Sequence, residues 1–304
     1  MDIKEEIEKW KEIKDAVILA HYYVDEEIQK IADYVGDSFQ LSKIAADLPN
    51  KVLVYCGVHF MGESGCLLSP DKQVLLPDLE ADCPMAHMVR KEEVEQARAE
   101  YEDLAVVCYI NSTAEIKSWS DVSVTSANAV KIVRNLPNKN ILFIPDRNLG
   151  RFVAAQVPEK NVMLVNGYCP IHEKIAVNEI LELKAAHPEA EILVHPECSN
   201  AVTDLADYIG STTGIIKYAS ESPKKEFIIG TEVGVKYALE SGNPEKAFYF
   251  TKNPPICHDM KKLTLEKVLH VLKTGENRAS VAEEKTAQAK ATLARMLELS
   301  SSAE

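Results

Sequence analysis

The sequence predicts an α/β fold: three similar three-layer αβα domains with parallel sheets, related by a pseudo-threefold axis. Three observations carry this expectation. Short β-branched runs alternate with helix-period stretches, the pattern of parallel βαβ units whose hydrophobic strands are covered by helices on both faces. Four separate features recur in one order along the 304 residues, at spacings of 88 and 86 positions or the reverse. No low-complexity linker interrupts them, so the repeats are expected to pack tightly against one another.

The chain opens with MDIKEEIEKWKEIKD (1–15), a charged amphipathic helix. The first strand of each repeat follows as AVILAH (16–21), AVVCYIN (105–111) and EILVHPE (191–197), each ending in polar residues and aligning His21, Tyr109 and His195. Helical periodicity covers EEIQKIADYV (26–35), SANAVKIVRNL (126–136) and LELKAAHPEAE (181–191). A small-residue turn recurs as GDS (36–38), TSAN (125–128) and GSTTG (210–214), aligning Ser38, Ser126 and Thr212. A further strand signal appears in KVLVYCG (51–57), NILFIPD (140–146) and EFIIGTE (226–232), each leading into a helix. Cys83, Cys169 and Cys257 complete the series. The resulting boundaries are 1–84, 85–170 and 171–257 for the repeats. Residues 258–304 read as a helical tail with amphipathic stretches at 263–273 and 281–299 and a frayed SSSAE end.

Composition narrows the function classes. At 46% apolar residues the chain is globular, and a formal charge of −13 disfavours nucleic acid and anionic membranes, because an acidic surface repels phosphate. An anionic substrate therefore needs a local basic or metal site. No apolar run reaches membrane-spanning length and the first residues lack a secretory pattern, so a cytoplasmic location is expected. Seven scattered cysteines, an odd number, argue against a disulfide framework and leave some thiols available as ligands.

In open parallel sheets, ligands bind beyond the carboxyl ends of the strands. A pseudo-threefold arrangement would bring the polar strand ends together there, and with them Cys83, Cys169 and Cys257. Three thiolates suit either zinc with a fourth ligand or an iron–sulfur cluster with one iron open. Each cysteine stands alone, in CPMAH, CPIHE or CHDMK, without the close pairs of structural zinc modules, and this favours one [4Fe-4S] cluster per chain with three Cys ligands and one open iron. Partly buried cysteines without function are commoner in general. The equivalent placement of these three outweighs that reading, whereas Cys56, Cys66, Cys108 and Cys198 lack it and are expected to be structural.

At these residues the sequence resembles the quinolinate synthases over about residues 1–300. The resemblance rests on ILAHYY (18–23), GDS (36–38), CPMA (83–86), YINSTAE (109–115), TSANAV (125–130), PDRNLG (145–150), CPIH (169–172), VHPEC (194–198), GST (210–212), IGTEVG (229–234) and CHDMKK (257–262). Tyr22 is a departure, since the family commonly has Asn between the His and Tyr of the first motif. The resemblance implies three α/β domains around a cavity with a three-cysteine [4Fe-4S] cluster at its base. The implied reaction condenses iminoaspartate with dihydroxyacetone phosphate to quinolinate, releasing phosphate and water, in NAD biosynthesis. An aspartate-oxidising enzyme is the implied supplier of iminoaspartate. In this chemistry the open iron acts as a Lewis acid for dehydration.

Carried over by motif, the substrate contacts are His21, Ser38, Tyr109, Asn111, Ser126, His172, His195, Glu197 and Thr212, and the catalytic groups are Tyr23, His195 and Glu197. Hydroxyl, amide and imidazole groups bind carboxylates, and Glu197 can move protons. Each has an ordinary alternative: Ser38 and Ser126 are good helix caps, Tyr23 suits packing at a strand end, and His172 could instead serve the cluster as a hydrogen-bond donor. Asp146, Arg147 and Glu232 end the later strands and either line the cavity or bridge domains, while His59, His87, His187, His258 and His270 carry no convergent signal. Two other classes compete. The radical aminocarboxypropyl transferases of diphthamide synthesis resemble this three-domain plan, but the YINSTAE, HPE and GST motifs point away from them. A non-catalytic iron–sulfur sensor has no need of so many convergent hydrogen-bonding residues.

Overall fold

The computed structural model describes residues 2–301. It contains twelve strands in three four-stranded sheets, all pairings parallel. The first sheet holds β1 (Ala16–His21), β2 (Tyr34–Gly36), β3 (Val52–Cys56) and β4 (Gln73–Leu75). The second holds β5 (Leu104–Tyr109), β6 (Val122–Val124), β7 (Asn140–Ile144) and β8 (Asn161–Leu164), and the third β9 (Glu191–Val194), β10 (Tyr208–Ile209), β11 (Glu226–Gly230) and β12 (Ala247–Tyr249). The spatial order is the same each time: β2-β1-β3-β4, β6-β5-β7-β8 and β10-β9-β11-β12.

Alternate residues of the central strands feed opposite cores, as the two-residue strand period requires. Val107, Ile141 and Phe143 pack with Ile132 and Val153 on one side of the second sheet, whereas Val106, Leu142 and Ile144 pack with Val94 and Ala97 on the other. In the third sheet, Ile192, Val194 and Ile228 meet Ile180, while Leu193, Phe227 and Ile229 meet Ile215 and Leu239. Each repeat is preceded by its own covering helix, Ile3–Lys14, Lys91–Glu100 and Val177–Ala186.

Two side-chain devices recur at the repeat spacing. Asp33, Asp121 and Asp207 stand just before the second strands and accept the backbone N–H of Ile18, Val106 and Ile192 at 2.8, 2.7 and 2.8 Å. Lys72, Lys160 and Lys246 each donate to carbonyls at or just beyond the end of a preceding helix, Lys72 to Ala45, Lys160 to Asn138 and Lys246 to Ser222 at 2.8, 2.8 and 2.9 Å. They satisfy acceptors that a helix C-terminus leaves open, and their charge opposes the negative end of the helix dipole.

The helix expected over 26–35 is corrected: only Glu26–Gln29 is helical, and Tyr34–Gly36 is strand β2. Pairing with β1 decides the matter, because three residues gain ladder bonds that an exposed helix end would lack. The tail forms helices Leu265–Thr274 and Glu283–Ser301. Val268 and Leu272 complete the first core, and Ala289, Leu293 and Met296 the second. The frayed end expected for SSSAE lies, beyond Ser301, outside the described residues. No helix among the described residues is long and apolar enough to cross a membrane.

Candidate active site

The three first strands end at one cavity of about 70 Å³. Its wall includes the residues given contact, catalytic or ligand roles from the sequence, His21, Tyr23, Ser38, Tyr109, Asn111, Ser126, His172, His195, Glu197, Thr212, Cys83, Cys169 and Cys257, together with Glu232 but not Asp146 or Arg147. Parallel strand ends deliver these groups in register. The residue that closes the first strand, or in the third repeat the one just after it, and the residue two positions later both face the cavity, as His21 and Tyr23, Tyr109 and Asn111, His195 and Glu197. Apolar Phe39, Phe60, Met85, Ile110, Ile171 and Met260 fill the intervals, which lowers the local dielectric and strengthens each polar contact.

Two of the repeats use one device to orient their histidines. The backbone N–H of Tyr23 donates to His21 Nδ1 at 3.1 Å, and that of Glu197 to His195 Nδ1 at 3.3 Å. An accepting Nδ1 leaves the proton on Nε2, so both rings keep the tautomer with an Nε2 donor. Burial holds both imidazoles neutral, with pKa values pushed down to about 4.

A hydrogen-bonded chain crosses the cavity. Tyr23 Oη lies 2.8 Å from both Thr212 Oγ1 and Thr231 Oγ1. Thr231 Oγ1 is 2.9 Å from His172 Nε2, and His172 Nδ1 is 2.8 Å from Glu197 Oε2. Oε1 of the same carboxylate faces Asn111 Nδ2 at 3.5 Å. Burial alone would raise the Glu197 carboxyl, but His195, His172 and the Tyr109 hydroxyl outweigh it and hold the group well below the usual carboxylate range. Burial, with Glu197 close by, pushes the Tyr23 and Tyr109 phenols up. The Glu197 backbone is held from outside the cavity by Asn148 Nδ2, which donates to its carbonyl at 3.0 Å.

Neither serine is the cap of the helix that follows it: Asp37 caps Ser38–Asp47, and the N-cap of Ala129–Asn135 is Asn128, two residues after Ser126, while Ser211 caps Thr212–Glu221 in the third repeat. Asp146 caps Arg147–Gln156 and its Oδ2 also accepts the Cys169 N–H at 3.1 Å; Glu232 lines the cavity and accepts the Cys257 N–H at 3.0 Å. Arg147 pairs with Glu173 at 2.7 Å, and Tyr22 reaches Gln40 at 3.5 Å without lining the cavity. Thr231 escaped the sequence reading because its counterparts in the repeat are Gly57 and Pro145, which have no hydroxyl.

The expected cofactor ligation, three Cys ligands with one open iron, is corrected by the structure. Among the described residues, the donors that approach closely enough to share an ion, all within 4.8 Å of one another, are Cys169, His172 and Glu197. That group has one thiol. Cys83 and Cys257 border the cavity from their own loops but stand outside it. Repeat spacing finds like residues at like places, whereas proximity here is decided by unlike side chains: His172 Nδ1 lies 3.2 Å from Cys169 Sγ, and Glu197 reaches across from the end of β9. Thiol, imidazole and carboxylate together form a donor set that iron accepts.

Comparison with known proteins identifies the family. The family model described as "NadA: Quinolinate synthetase A protein" matches residues 5–298. The chain is 52% identical over 298 residues to the quinolinate synthase of Caldicellulosiruptor saccharolyticus, covering 98% of each chain. It is 50% identical over 283 residues to that of Clostridioides difficile, covering 93% of each. It is 47% identical over 298 residues to quinolinate synthase 2 of Methanosarcina acetivorans, covering 98% of this chain and 96% of the other. Matched from end to end, with its three parallel sheets converging on one polar cavity, the chain belongs to the quinolinate synthetase A family.

Proposed function

We propose that the central cavity condenses iminoaspartate with dihydroxyacetone phosphate to quinolinate, releasing phosphate and water, as a step of NAD biosynthesis. The observation that carries this reading is the chain Tyr23–Thr231–His172–Glu197, a phenol linked to a buried carboxylate through a threonine and an imidazole. With His172 Nδ1 donating to Glu197, Nε2 accepts from Thr231, and Thr231 accepts from Tyr23. A proton taken up from substrate at Glu197, or given to substrate by Tyr23, can be relayed through small shifts along bonds already made. Isomerising a triose and closing a pyridine ring both need such transfers.

Around that chain, Ser38 and Ser126 supply hydroxyl donors for carboxylate or phosphate oxygens, Thr212 donates to Tyr23 Oη and orients the phenol at the substrate, and His21 and His195 point Nε2–H groups at the same ligands. Asn111 and Tyr109 position the substrate beside Glu197, whose Oε1 takes the proton lost from carbon. The apolar lining excludes water, which protects an imine from hydrolysis. The iron–sulfur group of the family would supply Lewis acidity for dehydration when bound, and the Cys169 thiol, 3.2 Å from His172 Nδ1, is the donor this chain offers it beside the relay. We place the reaction in the cytoplasm, whose reducing poise suits seven free thiols, with iminoaspartate supplied by an aspartate-oxidising enzyme.

The test is quinolinate formation by the iron–sulfur-loaded protein from the two substrates, with Glu197→Gln and Tyr23→Phe compared. Each variant is expected to lose about 10²–10⁴-fold in kcat while retaining its fold. Full turnover by either variant would remove that residue from the proton path.

A further inference from the structure

The residue before each aligned hydroxyl is Asp37 in the first repeat, Thr125 in the second and Ser211 in the third. In two repeats its side chain is used locally. Asp37 Oδ1 accepts the Gln40 N–H at 3.0 Å, and Ser211 Oγ accepts the Gly214 N–H at 3.1 Å. The second repeat departs from this, because its helix begins only at Ala129 and Asn128 Oδ1 folds back onto the Thr125 N–H at 2.6 Å. Thr125 Oγ1 is therefore left with no partner, on a residue only 3% exposed that lines the cavity beside Ser126.

Four buried side-chain polar atoms lack a partner among the described residues, and the two on the cavity wall, Thr125 Oγ1 and Asn111 Oδ1, both sit just past strand ends of the second sheet. Desolvating a hydroxyl without a hydrogen bond is costly, so such an atom on a cavity wall calls for a ligand atom. We propose that Thr125 is a substrate-binding residue whose hydroxyl donates to an anionic oxygen of one substrate, a carboxylate of iminoaspartate or the phosphate of the triose. An anionic oxygen only accepts, and a hydroxyl freed from capping is the matching donor. Asn111 Oδ1, which only accepts, complements it by taking a substrate N–H or O–H. The inference rests on the assignment of these two substrates to the cavity.

Thr125→Val removes the hydroxyl at nearly constant shape, and Thr125→Ser keeps it. With the loaded enzyme and each substrate varied in turn, Thr125→Val is expected to lower kcat/KM for one substrate about tenfold or more, while Thr125→Ser stays near wild type. Loss against iminoaspartate identifies a carboxylate contact, and loss against dihydroxyacetone phosphate a phosphate contact. The urea midpoint provides a second readout: removing an unpartnered hydroxyl leaves it unchanged or raises it, whereas a drop would reveal a structural role and overturn the proposal. Unchanged kcat/KM for both substrates would also overturn it. If Ser126→Ala impairs binding in that case, the cavity assignment survives; if it too is silent, the assignment falls with the proposal.

Discussion

His21 and His195 occupy equivalent strand ends, and each ring is oriented by the amide two residues later. Burial sets their charge. The His21 pKa is pushed from 6.5 to about 4, so between these values the unfolded chain binds a proton that the folded one refuses. Its contribution to stability is present above pH 6.5 and is lost as pH falls toward 4. A His21→Asn protein is therefore expected to lose less stability than wild type between pH 6.5 and 4.5, by about 2–3 kcal/mol, in urea titrations at the two pH values. Parallel pH profiles for the two proteins would refute burial as the cause. At the level of single residues, repeat position nominates both histidines, and the family motifs add Tyr23 and Glu197. They did not nominate Thr231, whose role depends on side chains arriving from three directions.

Elements of this fold end where polar side chains stop them. Lys160 donates to Asn138 O at 2.8 Å and also to Leu136 O, closing the carbonyls after the helix Ala129–Asn135; Lys72 and Lys246 act alike. Lys160→Met is expected to cost about 1–2 kcal/mol, measured as a shift in the denaturant midpoint, because it leaves partly buried carbonyls unpaired. An exposed Lys217→Met change should fall within about 0.5 kcal/mol of wild type. The lysine spacing was readable in the sequence, yet nothing local marks these lysines, since each reaches more than twenty residues back along the chain. The same limitation explains the helix expected at 26–35. Periodicity favoured it, and pairing of Tyr34–Gly36 with β1 replaced its second half by a strand.

Across the whole molecule, the repeats are joined by a few close contacts and by the tail. Gln29 Nε2 donates to Tyr22 O, Val24 O and Gly234 O at 2.9, 3.0 and 3.0 Å, and a Cβ on Gly234 would lie 2.8 Å from Tyr22 O. Lys261 Nζ adds a bond to Tyr23 O at 2.8 Å. The helix Glu283–Ser301 seats Leu293 and Met296 in the second core together with Leu67 from the first repeat, so it braces two sheets. Leu293→Ala is expected to destabilise by about 2–5 kcal/mol in a urea titration, whereas Leu181→Ala, half exposed on a helix, should change little. Equal effects would deny the tail its bracing role. The α/β class, the triplication and the polar groups at the strand ends are legible in the residues alone, because these follow from periodicity and from residue types repeating at one spacing. Which of those groups touch is set by how the three sheets pack. The relay through Thr231, the unpartnered hydroxyl of Thr125 and the grouping of Cys169 with His172 and Glu197 depend on side chains meeting across three sheets, and no local pattern encodes a distance between them.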